Sequence, residues 1–268
     1  MKPAKKLPKP PARQGVKHRR FRDSAPVPER IPAFVPPLLS FVAGFVDVVT
    51  FVALFGLYVA QVTGSFVTVG AQIVGYGAST LIFILAIPIF LFAAMLSVLF
   101  CHWLILHRRS PLGWSLVIEV LLLIALYLCM LMNPLSDPNA PLTIAAGAVA
   151  LAAMGVQSAF VRLLMRGAAS TNVMTTNTSL LGISAAETLI AWKERRDFPK
   201  SRKAANRFRK VSGGLRALSE VMFGFLAGAA LGVVVYQEAG VNALLAPIGV
   251  LVALAIWAFD RETNSAKT

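Results

Sequence analysis

Charged residues, and acidic ones above all, are scarce in this sequence of 268 residues. Only 14% of the chain is charged and 57% is hydrophobic, with a mean hydropathy of +0.70. A water-soluble domain is usually about a quarter charged and less than half apolar, so this composition excludes a soluble globule. The scarcity of charge therefore predicts an integral membrane protein.

Cysteine and histidine are also rare, at two and three residues. Cys101 and Cys129 both lie in apolar runs, where a cysteine is typically a small hydrophobic residue rather than half of a disulfide. No group of histidines, cysteines and carboxylates has metal-ligand spacing, and no nucleophile set or phosphate-binding glycine loop occurs. We therefore expect no metal, no cofactor and no enzymatic activity.

The basic residues lie mainly in two blocks. There are 26 Lys and Arg against 12 Asp and Glu, and residues 1–30 and 192–216 each carry a net charge of +8. Such confinement indicates membrane topology rather than nucleic-acid binding, with both blocks in the cytoplasm and near anionic lipid headgroups. Residues 1–30 are rich in proline and poor in apolar surface, which predicts a disordered tail. Because the tail is longer than topology requires, we also expect it to bind a partner, such as a membrane complex.

Six apolar runs are long enough to cross roughly 30 Å of hydrocarbon. Two further segments, residues 57–76 and 170–190, are borderline in length and rich in polar residues. If both crossed, the positive-inside rule would be inverted; if both re-entered, every loop would obey it, with both termini cytoplasmic. We therefore predict an all-α membrane protein with six transmembrane helices and two polar re-entrant segments, eight crossings being the alternative. The six runs are 34–56, 81–106, 112–132, 142–164, 215–236 and 241–259.

The chain also resembles itself. Residues 41–47 align with 152–158 at an offset of 111, and residues 62–70 align with 174–182 at an offset of 112. Three spans in each half would make the second half enter from the opposite face, which is the plan of an inverted repeat. The predicted domains are a first repeat at 31–132, a second repeat at 141–260 and a tail at 261–268.

The repeated motifs resemble those of the YoaK-like family, a family of unknown function in bacterial inner membranes. The family's first motif, Gly-x-x-Asp and then His-Met-Thr-Gly-Asn, corresponds to Gly44–Asp47 and 61–65 here. Its second, Gly-x-Gln and then Thr-Asn-x-Met-Thr-Gly-Asn, corresponds to Gly155–Gln157 and 171–177. The likeness covers roughly residues 33–260 and implies location in a bacterial inner membrane, but no substrate. Gln61, Ser65 and Thr176 are among the positions that depart from the motifs.

Two carboxylates are predicted within the membrane. Asp47 lies about 20 Å along its span, at 1.5 Å per residue, where a charge costs at least about 2.5–3.5 kcal/mol. It could exchange a proton or pair with a cation, or it could hold helices together by a hydrogen bond to a Thr or Ser. Glu119 is a second candidate, although a Ser, a Trp or a water-filled crevice could equally be its partner. We take Asp47 and Glu119 as candidate proton-coupling residues.

The two polar segments carry hydroxyl and amide groups that suit a small polar or ionic solute. The same groups could instead satisfy the backbone of a broken helix. The candidate substrate-binding residues are Asp47, Gln61, Thr63, Gly64, Ser65, Gln157, Asn172, Thr175, Thr176 and Asn177.

Two further features have structural interpretations. Gly224, Gly228 and Gly232 form a small-xxx-small pattern for helix packing, which we expect near Ala93 and Ser97. Arg162, at the end of its span, is expected to reach the membrane interface.

These features predict a secondary transporter or channel-like permease with a site near the membrane midplane. The alternative is a non-transporting accessory subunit of a larger inner-membrane complex.

Overall fold

The computed structural model describes residues 31–75, 81–132, 137–165 and 167–265. These residues are largely helical and include no strand. The all-α prediction is therefore confirmed. The tail predicted at 1–30 lies outside the described residues.

Eight α-helices and one 3₁₀-helix occur in this part of the chain. Prolines stand at the start of three of them, where the missing N–H has no intrahelical acceptor to lose. The helices are α1 (Val35–Ala53), α2 (Gly64–Ile73), α3 (Leu81–Leu106), α4 (Pro111–Met132), α5 (Pro141–Leu164), α6 (Met174–Asp197), α7 (Arg202–Ala239), the 3₁₀-helix (Gly240–Leu244) and α8 (Leu245–Ser265).

Five stretches of the described chain are long and apolar enough to cross a membrane. They are α1, α3, α4, α5 and the stretch Arg202–Thr263, which contains α7, the 3₁₀-helix and most of α8. A straight helix of those 62 residues would be about 90 Å long, three times the hydrocarbon thickness. Six crossings therefore stay a prediction. Neither α2 nor α6 is among the candidate spans.

The helices pack in pairs drawn from distant parts of the chain. The most extensive packing joins α1 to α7 and α3 to α5, and α4 packs against α5 and α8. Large apolar side chains such as Phe45 and Phe160 are fully buried between them. Others, such as Leu91 and Phe223, are more than half exposed on the outer faces. Apolar outer faces on apolar helices suit a lipid bilayer.

Helices α1 and α5 end in the same way. The N–H of Leu54 bonds to the carbonyl of Thr50, and the N–H of Met165 bonds to that of Val161. A glycine with positive φ follows each end, Gly56 at 90° and Gly167 at 87°, as is common after a helix C-terminus. Leu54 and Met165 are 111 positions apart, and so are Gly56 and Gly167. We call residues 54–63 the first break and residues 165–173 the second break.

The basic block at 192–216 lies mainly in the end of α6 and the start of α7. Arg207 forms an ion pair with Glu194 at 2.6 Å, and the Arg195 guanidinium lies over the Phe208 ring. With 38 residues, α7 is about 57 Å long, so it exceeds the hydrocarbon thickness and extends this basic end beyond it.

Candidate functional site

A cavity of about 250 Å³ lies where the two breaks meet α3 and α5. The first break contributes its last four residues, and the second break contributes Asn172 and Val173. The first turn of α6 completes that side. The lining residues are Ala60, Gln61, Val62, Thr63, Phe90, Ser158, Arg162, Asn172, Val173, Met174 and Thr175.

The first break is held by one carboxyl group. Oδ1 of Asp47 accepts hydrogen bonds from the backbone N–H groups of Val59 and Ala60, both at 2.8 Å. Asp47 is only 4% exposed and does not line the cavity. Its bonds fix the backbone that leads into the cavity wall at Ala60. The partners of Asp47 are therefore not the hydroxyl groups of the structural alternative. They are backbone N–H groups and the side chain of Gln61.

The second break is held by neutral side chains. Nδ2 of Asn172 donates to the carbonyl of Met154 at 3.3 Å, and Oδ1 of Asn172 accepts from the Thr171 hydroxyl at 2.7 Å. Nδ2 of Asn177 donates to the carbonyl of Ser170 at 2.6 Å. The carbonyl of Ser170 lies in the break and has no helical partner, so the Asn177 amide satisfies it. The carbonyl of Met154 lies within α5, so the Asn172 bond fastens the break to that helix.

Two bonds join α1 to the second half of the chain. Nε2 of Gln157 donates to the carbonyl of Leu39 at 2.6 Å, and the Ser40 hydroxyl donates to the carbonyl of Thr171 at 3.3 Å. Gln157 is fully buried beside the cavity-lining Ser158 but is not itself in the lining. Its role is therefore to fix α1 against α5 close to the cavity.

Only part of the predicted substrate-binding set lines the cavity. Four residues do so, two from each half: Gln61, Thr63, Asn172 and Thr175. Six residues do not: Asp47, Gly64, Ser65, Gln157, Thr176 and Asn177.

Two lining residues with polar or charged side chains were missed by the sequence prediction. Ser158 and Arg162 are four positions apart on α5, so they share one helix face. Nη2 of Arg162 lies 3.5 Å from the Ser170 hydroxyl in the second break. The interfacial interpretation of Arg162 therefore misses its position in the cavity wall. The signal that could have found Ser158 is the repeat itself, because the alignment matches it to Asp47.

Glu119 is fully buried in α4, and neither carboxyl oxygen has a hydrogen-bond partner within the described chain. It does not line the cavity. The hydroxyl of Ser65 is similarly buried without a partner among the described residues. Throughout the described ranges, no three histidines, cysteines or carboxylates lie close enough to hold a metal ion.

The glycine pattern on α7 packs against α1. A Cβ atom on Gly224 would meet the carbonyl of Pro37, and one on Gly228 would meet that of Phe41. A Cβ on Gly232 would lie 2.6 Å from Val48. The expected partner near Ala93 and Ser97 was wrong, because many apolar helices offer small residues and the pattern alone does not choose among them.

The region near Ala93 instead receives a glycine from α5. A Cβ on Gly155 would lie 2.7 Å from the carbonyl of Phe90 and 3.2 Å from Cβ of Ala93. Gly44, 111 positions earlier, would place its Cβ against the carbonyl of Phe225 on α7. The two motif glycines therefore allow close packing of α1 against α7 and of α5 against α3.

The fold and this site define a helical membrane protein with a cavity between two broken segments, lined by apolar side chains together with hydroxyl, amide and guanidinium groups. The family model for a protein of unknown function, DUF1275, matches residues 37–257, so the chain belongs to that family. The resemblance to YoaK-like proteins is compatible with this match. No curated protein and no solved structure matches the chain.

Proposed function

We propose that this protein is a permease that moves a small polar solute or ion through the cavity between the two breaks. The observation that carries the proposal is the meeting of Gln61 and Thr63 from one half with Asn172 and Thr175 from the other around one space. Hydroxyl and amide groups can replace part of a solute's water shell. Irregular backbone at membrane depth is tolerated where it lines a cavity of this kind.

The proposed architecture is six crossings in two inverted repeats of three. Support comes from the matching ends of α1 and α5, from their glycines at an offset of 111, and from reciprocal packing. In that packing α1 contacts α7 while its repeat equivalent α5 contacts α3. A twofold relation between halves predicts such an exchange, with α4 and α8 meeting near the axis.

The proposed location is the bacterial inner membrane, with both termini in the cytoplasm. Residues 192–216 carry a net charge of +8 near the junction of α6 and α7, and such a block is retained on the cytoplasmic side. In this orientation the second break enters from the cytoplasm and the first from outside. Arg162, in the last turn of α5, then lies toward the cytoplasmic side of the cavity.

Glu119 is the stronger candidate for proton coupling. Asp47 already accepts two backbone hydrogen bonds, whereas both carboxyl oxygens of Glu119 lack a partner in the described chain. A buried carboxyl group of that kind lowers stability and marks a functional site within a membrane. We expect Glu119→Leu to raise the unfolding temperature while abolishing pH-dependent flux. A fall in stability without a change in the pH dependence would assign Glu119 to packing instead.

The test of the permease combines labelling with flux. In a Cys101→Ser, Cys129→Ala background, Thr63→Cys and Thr175→Cys place single thiols at the cavity. Phe223→Cys, whose native side chain is 71% exposed on α7, is the lipid-facing control. In proteoliposomes, a charged membrane-impermeant thiol reagent should modify both cavity thiols and spare the control.

Flux of small labelled solutes should fall after modification of Thr63→Cys or Thr175→Cys and stay unchanged for Phe223→Cys. The proposal fails if neither cavity thiol reacts, or if modification leaves flux unchanged. A chain that carries no flux and purifies in stoichiometric complex with a larger membrane partner would instead be the accessory subunit.

A further inference from the structure

The charged groups of the described cavity lining are of one sign, positive. Among its described residues it has one cation, Arg162, and no carboxylate. The side chains of Gln61 and Asn172 add amide groups, and those of Thr63 and Thr175 add hydroxyls. A guanidinium group presents several N–H donors in a planar fork that matches the oxygens of a carboxylate or phosphate.

The N-terminus of α6 adds to the positive character of the same wall. Val173, Met174 and Thr175 all line the cavity, and no side chain caps this 24-residue helix. The first N–H groups of a helix have no intrahelical acceptor and carry the positive end of its dipole. An anion in the cavity would lie near both these groups and Arg162.

Asp47 does not contribute negative charge to the cavity lining. Asp47 lies behind the wall, and its Oδ1 is occupied by the N–H groups of Val59 and Ala60. Its carboxyl group therefore fixes the first break rather than contributing an oxygen to the lining. A cationic solute would find no carboxylate in the described lining to offset its desolvation.

We infer that the solute is a small oxyanion, either a carboxylate or an inorganic oxyanion, and that Arg162 binds its charge. This inference rests on the proposed permease and specifies its substrate class. Ser158, one helical turn before Arg162, and the amides of Gln61 and Asn172 would complete the hydrogen bonding. The volume of about 250 Å³ is ample for an anion the size of acetate or phosphate.

The first experiment measures selectivity in proteoliposomes. Radiolabelled acetate and phosphate are compared with glycerol, which is neutral, and rubidium, which is a cation. We expect flux of at least one of the two oxyanions to exceed that of both comparators. Arg162→Gln should lower that flux about tenfold, since charge-assisted hydrogen bonds are roughly twice as strong as neutral ones. Arg162→Lys should retain part of it, and Arg209→Gln, which removes an exposed cation from α7, should leave it unchanged.

The second experiment measures binding without transport. Replacing chloride with acetate or phosphate at constant ionic strength should raise the unfolding temperature of the detergent-solubilised protein, because a ligand stabilises the state that binds it. The rise should disappear in Arg162→Gln and persist in Arg209→Gln.

The outcomes separate the inference from the proposed function. If glycerol or rubidium moves as fast as the oxyanions, or if Arg162→Gln leaves both readouts unchanged, the oxyanion inference is overturned while the permease stands. If no solute moves but Arg162-dependent stabilisation remains, the oxyanion site is supported and the permease is not. If neither flux nor stabilisation occurs, both fail.

Discussion

Both breaks are held by hydrogen bonds between side chains and the backbone, but the side-chain groups differ. In the first, one buried carboxyl oxygen of Asp47 accepts two backbone N–H groups. In the second, Asn172 and Asn177 donate to two backbone carbonyls through separate amides. The first break therefore depends on a single ionisable carboxyl group, whereas the second distributes its support over neutral groups.

This difference bears on how the two halves could move. A carboxyl group that binds two N–H groups loses both bonds if the chain shifts, which favours a fixed first break. Separate amide bonds can be broken one at a time, so the second break can adjust by smaller steps. The proposed oxyanion site lies mostly at the second break and the helices beside it, at Arg162, Asn172 and the start of α6.

The largest expected loss of unfolding free energy comes from removing the carboxyl group on which the first break depends. Asp47→Ala leaves the buried N–H groups of Val59 and Ala60 without an acceptor. We expect a loss of about 3 kcal/mol in the free energy of unfolding, at about 1.5 kcal/mol for each bond. Unfolding in mixed detergent micelles measures it. A loss no larger than that of a single amide removal in the second break would contradict the comparison.

A smaller loss of unfolding free energy should follow when Asp47 is replaced by asparagine, which keeps an acceptor oxygen but is not a carboxyl group. Asp47→Asn retains one oxygen that can accept the same two bonds, although neutral hydrogen bonds are about half as strong as charge-assisted ones. We expect about half the loss seen for Asp47→Ala, by the same unfolding measurement. Equal losses for the two variants would mean that the asparagine oxygen does not occupy the position of Oδ1.

In the second break, each amide that is removed should cost only part of the stabilising free energy. Asn172→Ala and Asn177→Ala each remove one amide donor, and each should cost about 1 kcal/mol of unfolding free energy. The double variant should approach the sum, because the two amides bind different carbonyls, those of Met154 and Ser170. If either single variant matched the loss of Asp47→Ala, the second break would also depend on one residue.

Sequence reasoning identified Asp47 because a carboxylate within an apolar run is costly wherever it lies. It did not find the partners, because Val59 and Ala60 offer only backbone N–H groups, whose position depends on how the chain turns back after α1. The structural alternative considered for Asp47 named a hydroxyl partner instead. The sequence shows that a side chain is polar. Which unpaired backbone groups that side chain can bond is determined only by the folded structure.

Arg162 and the α7 glycines illustrate the same limit. An arginine near a span end commonly reaches the interface, so its position gave no reason to expect a cavity. The spacing of Gly224, Gly228 and Gly232 predicted close packing, and a Cβ on any of them would meet α1. The identity of that partner depends on the backbone carbonyls of Pro37 and Phe41, which no side-chain pattern encodes.

The smallest expected effect tests whether the bond from α1 to the second break is coupled to the amide bonds of that break. The Ser40 hydroxyl donates to the carbonyl of Thr171 at 3.3 Å, so Ser40→Ala removes a long, neutral bond between α1 and the second break. We expect a cost of about 0.5 kcal/mol, the lower end for a neutral hydrogen bond. In a double-mutant cycle with Asn172→Ala, whose residue follows Thr171 in the same break, the two losses should not add. Strict additivity would show that the bond from Ser40 and the bonds of Asn172 support the second break independently of each other.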